Sequence, residues 1–135
     1  MGKSEVVTFS SGKVWADEST GILRVEFAPG THQNVQVARE VIASIRELNK
    51  VPRWPALVDI ANVKGLDRDA RTYYGSSEAM ENWAAVAMLT SSPLTNTLAN
   101  IWLAVFRTIS GGRGKPTKIF DDESSAIEWL KGFRS

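Results

Sequence analysis

The chain contains no cysteine, so disulfide cross-links, thiolate nucleophiles and cysteine-ligated metals are all excluded, a composition that suits a reducing compartment. It has one histidine, His32, which excludes any multi-histidine metal site. It also lacks a charge of one dominant sign. Sixteen basic residues against fifteen acidic ones leave a net charge of +1, too little to steer nucleic acid or an anionic membrane, and neither is expected as a partner. No long hydrophobic run is present: the most apolar helical stretch, residues 94–109, falls short of a bilayer span of roughly 20 residues and contains Asn96 and Asn100. The first residues carry no apolar core of a secretory signal. These absences together lead to the expectation of a soluble cytoplasmic protein.

What is present is one domain's worth of patterned sequence. The 135 residues, 43% of them hydrophobic, are enough to bury a core without metals or cross-links, and residues 1–135 read as a single domain. The organising stretch is residues 55–71. Leu57, Val58 and Ile60 form a short apolar run after Pro55, which suits a strand covered on both faces, and Asp67 is the predicted N-cap of the helix that follows. Upstream, residues 5–9, 13–17 and 22–27 are three short strands expected to form an antiparallel meander, with Ile22, Arg24 and Glu26 on the solvent face of the third. A helix capped by Asn34 runs to Leu48, with Ser44 on its solvated side. Downstream, a helix bends near Gly75, residues 84–90 form a second parallel strand, and Ser92-Pro93 starts a helix reaching about Thr108. A flexible loop at 110–116, a strand at 117–120 and a last helix capped by Asp121 or Asp122 complete the chain. The expected class is α/β, with a mixed sheet in which the meander is followed by parallel strands at 55–60, 84–90 and 116–120, joined by right-handed crossovers.

Over Asp59-Ile60-Ala61-Asn62-Val63-Lys64-Gly65-Leu66-Asp67-Arg68-Asp69 the order of residue types resembles STAS domains of anti-sigma-factor antagonists and sulfate transporters, in which a strand ends in Asp and Asp-Ser-Ser-Gly opens a helix after a turn. Asp59 and Asp67 match the two aspartates. The wider pattern, including Ser92-Pro93-Leu94, Asn100 and Pro116-Thr117-Lys118-Ile119-Phe120 leading to Glu128-Trp129-Leu130, is similar to an uncharacterised bacterial family of SpoIIAA-like fold, related in architecture to CRAL-TRIO lipid-binding domains. The resemblance implies a non-catalytic interaction or regulatory module that self-associates or, as the alternative, a carrier of a lipophilic ligand. One departure limits it. Arg68 and Asp69 stand where the antagonists carry two serines and Ala70 where they carry glycine, so the phosphoserine switch does not transfer.

Candidate chemistry is sparse. Asp59, Asp67 and Asp69 form a candidate acidic cluster toward the carboxyl ends of parallel strands, where open α/β sheets place ligands. A receiver-like phosphoacceptor at Asp59 is disfavoured, because Lys115-Pro116 precedes its strand instead of following it, and because a strand follows Asp17-Glu18 where a receiver needs a helix. Gly111-Gly112-Arg113-Gly114-Lys115 lacks phosphate-loop spacing. His32 is expected in a loop, solvated. No catalytic residue, metal or cofactor is expected. The remaining signal is the helix at 93–108. Leu94, Leu98, Ile101, Trp102 and Val105 make a core-facing stripe, leaving Leu103 and Phe106 beside Asn96, Asn100 and Arg107 as a second face for a homodimer partner, another protein or an apolar small molecule.

Overall fold

The computed structural model describes residues 6–48, 54–110 and 116–133; the side chains of residue 77 and of residues 105–110 lie outside that description, as do the predicted loop at 111–115 and, on the second face, the side chains of Phe106 and Arg107. Three strands, β1 (Val6–Phe9), β2 (Gly12–Asp17) and β3 (Ile22–Phe27), form the expected antiparallel meander, with Val14 opposite Val25 and Trp15 opposite Arg24. Gly12 is required by a close approach: a Cβ there would lie 2.0 Å from the Glu26 carbonyl oxygen. Helix α1 (Val35–Leu48) crosses from β3 to β5 (Ala56–Asp59), which pairs parallel to β3. The Asn34 carboxamide oxygen caps α1 by accepting the Val37 amide at 2.9 Å.

After β5 come α2 (Arg68–Tyr74) and α3 (Ser77–Met80), separated at Gly75 as its helix cost predicts, then β7 (Val86–Leu89), α4 (Pro93–Ser110), β8 (Thr117–Phe120) and α5 (Glu123–Lys131). The six-stranded order is β1-β2-β3-β5-β7-β8, with β5, β7 and β8 parallel neighbours as the apolar runs predicted.

Strand alternation divides the core between the two faces of this sheet. Val14, Leu23, Val25, Phe27, Val58, Val86 and Met88 point toward α1, α2 and α4, where Val41, Ile42, Tyr74, Ala99 and Trp102 complete the main core. Ile22, Leu57, Ala85 and Ala87 point the other way and meet Ala126 and Leu130 of α5, the alanines letting this helix sit close to the sheet. Helix α5 is short and covers only the half of its face formed by the later strands. The face of β3 expected to meet solvent is therefore split: Ile22 is fully buried beneath α5, Arg24 is half-buried and Glu26 is exposed. Ser44, expected on the solvated side of α1, is also buried, its hydroxyl satisfied by donating to the Glu40 carbonyl one turn back at 2.8 Å.

A second sheet was not foreseen. Strands β4 (Thr31–Gln33) and β6 (Val63–Leu66) pair parallel in the loops that leave β3 and β5, and His32 belongs to this ribbon, not to an irregular loop.

Candidate functional site

The carboxyl ends of β3, β5, β7 and β8 gather the β4–β6 ribbon and the amino termini of α2, α4 and α5 at one rim of the sheet. The ribbon is tied to its surroundings by backbone bonds from Gly30 N–H to the Asn62 carbonyl (3.1 Å) and from Asp67 N–H to the Gln33 carbonyl (2.9 Å), and by the Asn62 amide donating to the Phe27 carbonyl (3.1 Å). The His32 ring lies across Gly65, where a Cβ would come within 2.4 Å of Nδ1. From there Nε2 reaches the Asp67 carboxylate at 2.5 Å, with both side chains about half exposed. Asp67 therefore occupies the N-cap position of α2 as predicted, but its side chain makes no capping bond. The ribbon brings His32 within reach, and the carboxylate is spent on the imidazole.

Beneath this pair, Gln33 is fully buried and its Oε1 accepts the Tyr74 hydroxyl at 2.5 Å. Burial, and then the neighbouring Tyr73, push the Tyr74 phenol far above its ordinary value of 10.0, so it remains a proton donor. Its ring packs on Trp102 of α4 with centroids 4.5 Å apart.

The predicted acidic cluster is not assembled. Asp59 ends β5 on the α5 side of the sheet, where its carboxylate accepts the Ala61 amide at 2.9 Å, whereas Asp67 and Asp69 sit at the start of α2 on the opposite side. Strand alternation causes the separation, because Asp59 shares its face with Leu57 and not with the helix-facing Val58. Among the described residues no group of three or more His, Asp or Glu is placed to hold a metal ion. Two further polar groups of the rim are engaged locally. Asp122 accepts the Ser125 amide at 2.7 Å and its carboxyl is held below the ordinary 3.8 by those Ser125 hydrogen bonds, while the Thr90 hydroxyl donates to the Phe120 carbonyl at 3.3 Å. An open groove of about 460 Å³ between the starts of α4 and α5 is lined by Thr90, Asn96, Lys118 and Asp121.

Helix α4 lies differently from its hydropathy pattern. Ser92 and Thr95 cap it reciprocally: the Ser92 hydroxyl accepts the Thr95 amide at 3.2 Å, and the Thr95 hydroxyl accepts the Ser92 amide at 3.0 Å. With its hydroxyl satisfied in this way, Thr95 is buried, and Thr95, Ala99 and Trp102 form the inward line. Leu98 and Leu103 pack half-buried against the core on either side. Leu103 thus leaves the predicted second face. Leu94 and Ile101, expected inside, are 50% and 37% exposed, and Asn96 and Asn100 are exposed as expected. The small side chains at 95 and 99 let the helix approach the sheet closely, which the larger leucine and isoleucine would prevent.

A family model described as Domain of unknown function (DUF7793) matches residues 14–134. The chain belongs to this family. No curated protein matches it. Among solved structures, the DUF7793 chain is similar to an uncharacterized protein from the DUF3478 family with a SpoIIAA-like fold from Shewanella loihica PV-4, at a TM-score of 0.54 and 14% identity over 95% of this chain and 92% of that one. It is also similar to apo-SiaC from Pseudomonas aeruginosa, at a TM-score of 0.44 and 12% identity over 87% of this chain and 98% of the other. The first of these likenesses shows the fold: this DUF7793 domain is a SpoIIAA-like mixed α/β sheet. Among the described residues no helix is long and apolar enough to cross a membrane.

Two residues of the DUF7793 site escaped sequence reasoning. His32 was legible only through the alternation of Val63, Lys64, Gly65 and Leu66, which marks a strand too short to stand out. Thr95 was legible as the partner of Ser92 three residues earlier, a pairing that a purely apolar periodicity ignores.

Proposed function

We propose that this domain is a non-catalytic regulatory interaction module that self-associates through the outward face of α4. The observation that carries the reading is that face itself. From Pro93 to Phe106 the sequence has no charged residue, and Leu94 and Ile101, about 10 Å apart along the helix, stand exposed on one side of it. At a twofold axis each group meets its own copy, so a charged residue there faces its like; an uncharged stripe escapes that repulsion. Thr97 and Ala104, both exposed, are small enough to let two such helices come close. The proposal keeps Asn96 and Asn100 as flanking polar contacts and replaces Leu103 by Leu94 and Ile101. The SpoIIAA-like fold and the local engagement of Asp67, Thr90 and Asp122 at the rim are compatible with a module that binds without turning a substrate over.

The test is light scattering at micromolar concentration. The parent is expected at about twice the mass of one chain, and Leu94→Arg with Ile101→Asp is expected to halve it while leaving the circular dichroism spectrum unchanged. A parent at the mass of one chain overturns the reading. The carrier alternative draws less support: the apolar cavity between α1, α4 and the sheet, lined by Val25, Ile45, Tyr74, Trp83 and Trp102, has a volume of about 10 Å³, room for roughly one water. A lipophilic ligand there would require α4 to lift.

A further inference from the structure

The half of the sheet that α5 leaves bare has the dimensions of a helix site. Strands β1, β2 and β3 lie side by side at about 4.8 Å spacing, so the bare strip is roughly 10 Å across, the width of one helix. Helix α5 already occupies the parallel position over β5 and β7, through Leu57, Ala85 and Ala87. Cross-strand register fixes what floors the strip. Val6 faces Trp15, Trp15 faces Arg24 and Arg24 faces Leu57 in one row; Thr8, Lys13, Glu26 and Asp59 form the next. Val6 is 52% exposed and Trp15 is half-buried, which places an apolar patch at the outer end of the strip.

The charges around this patch are not balanced. Arg24 lies between two carboxylates, with Nε 3.2 Å from Asp17 and Nη2 3.4 Å from Glu123. Lys13 reaches Glu26 only at 3.9 Å, both side chains being about half exposed, and its ammonium stands 5.3 Å from the centroid of the Trp15 ring. Against these two cations stand, among the described residues, Asp17, Glu26, Asp59 and Glu123. Trp15, Arg24, Glu26, Asp59 and Glu123 line one small hollow of about 20 Å³ together with Val25, Leu57 and Leu89, so three carboxylates share it with one guanidinium. A second copy laid on this strip by a twofold would set the acidic excess against itself. A basic partner would not, and an indole face beside carboxylates is a setting in which a guanidinium or ammonium gains from both.

We propose that the bare half of the sheet docks a basic amphipathic helix of a partner protein alongside α5, its apolar edge on Val6 and Trp15 and its cations toward Glu26, Asp59 and Glu123. The inference rests on the reading of the domain as an interaction module, but it uses the side of the sheet opposite α4. The probes are two synthetic helical peptides of equal length with the same leucine face, one carrying Lys and Arg on its polar face and the other Glu, titrated into the full ¹⁵N-labelled chain. The basic peptide is expected to shift the Trp15 indole resonance and the amides of Val6, Lys13 and Glu26 saturably, and the acidic one to leave them in place. Glu26→Lys, at an exposed position, and Trp15→Ala are each expected to weaken binding by about tenfold or more. Leu94→Arg with Ile101→Asp is expected to leave it unchanged, which separates failure of the α4 reading from failure of this one. Equal binding of the two peptides, shifts confined to other surfaces, or no shift at millimolar peptide would overturn the proposal.

Discussion

The outward face of α4 and the bare strip over β1, β2 and β3 are both left uncovered by the described residues, yet they are built on opposite principles. From Pro93 to Phe106 the helix face is uncharged, and it is held from behind by the tight contact of Thr95, Ala99 and Trp102 with the core. The strip carries six charged side chains around one indole, and its Lys13–Glu26 pair is half open to water. Uncharged surface is indifferent to meeting its own copy, whereas surface with an excess of one sign selects a partner of the other. One small domain thus presents two faces of different chemistry, and the two can be perturbed separately because the sheet lies between them.

The largest effect on the fold is expected behind α4. Trp102→Ala removes a ring that is 3% exposed and packs on Tyr74, and urea denaturation should show a loss of about 3–5 kcal/mol. A loss below about 1 kcal/mol would mean that α4 is not anchored from behind and that its outward face is not a fixed platform. A smaller and pH-dependent effect belongs to the strip. Burial opposes ionisation of Asp17, but the hydrogen bonds from Ser19 and Thr20 and the Arg24 guanidinium outweigh it and hold the carboxyl below its ordinary 3.8. A carboxyl depressed in the folded state stabilises the fold above its unfolded value and loses that contribution as the pH falls through the folded one. Asp17→Asn should therefore lower the melting temperature at pH 6, and the gap to the parent should close below about pH 3.8. A gap that did not narrow as the pH fell below 3.8 would remove Asp17 from the charge network. The smallest effect should come from the outward positions of α4: measured on the single chain at high dilution, Leu94→Arg and Ile101→Asp should each change stability by no more than about 0.5 kcal/mol.

The sheet was legible because its signals are long or chemically explicit. Leu57, Val58, Val86 and Met88 fall in uninterrupted apolar runs, and Asn34, Ser92 and Asp122 announce helix starts through the hydrogen bonds they later make. What escaped depends on neighbours that are remote in sequence. The three or four residues of β4 and β6 become strands only when two separate crossover loops meet, and their pairing redirects Asp67 from capping to His32. The rotation of α4 was misread because hydropathy ranks Leu94 and Ile101 above Thr95 and Ala99, while the actual contact rewards small volume and a hydroxyl satisfied by its own cap. The bare strip was invisible for a similar reason: nothing in β1 to β3 records that α5 is only nine residues long and stops at half the sheet.

The stitching of the β4–β6 ribbon bears on how the molecule breathes. Gly30 and Asp67 each donate a backbone bond to the opposite crossover loop, and Asn62 ties its own loop back to the end of β3. Neither loop can loosen without releasing the other, so the segments before α1 and before α2 form one cooperative opening unit. Solvent exchange of their amides is therefore governed by a shared event, although more than twenty-five residues of chain separate them.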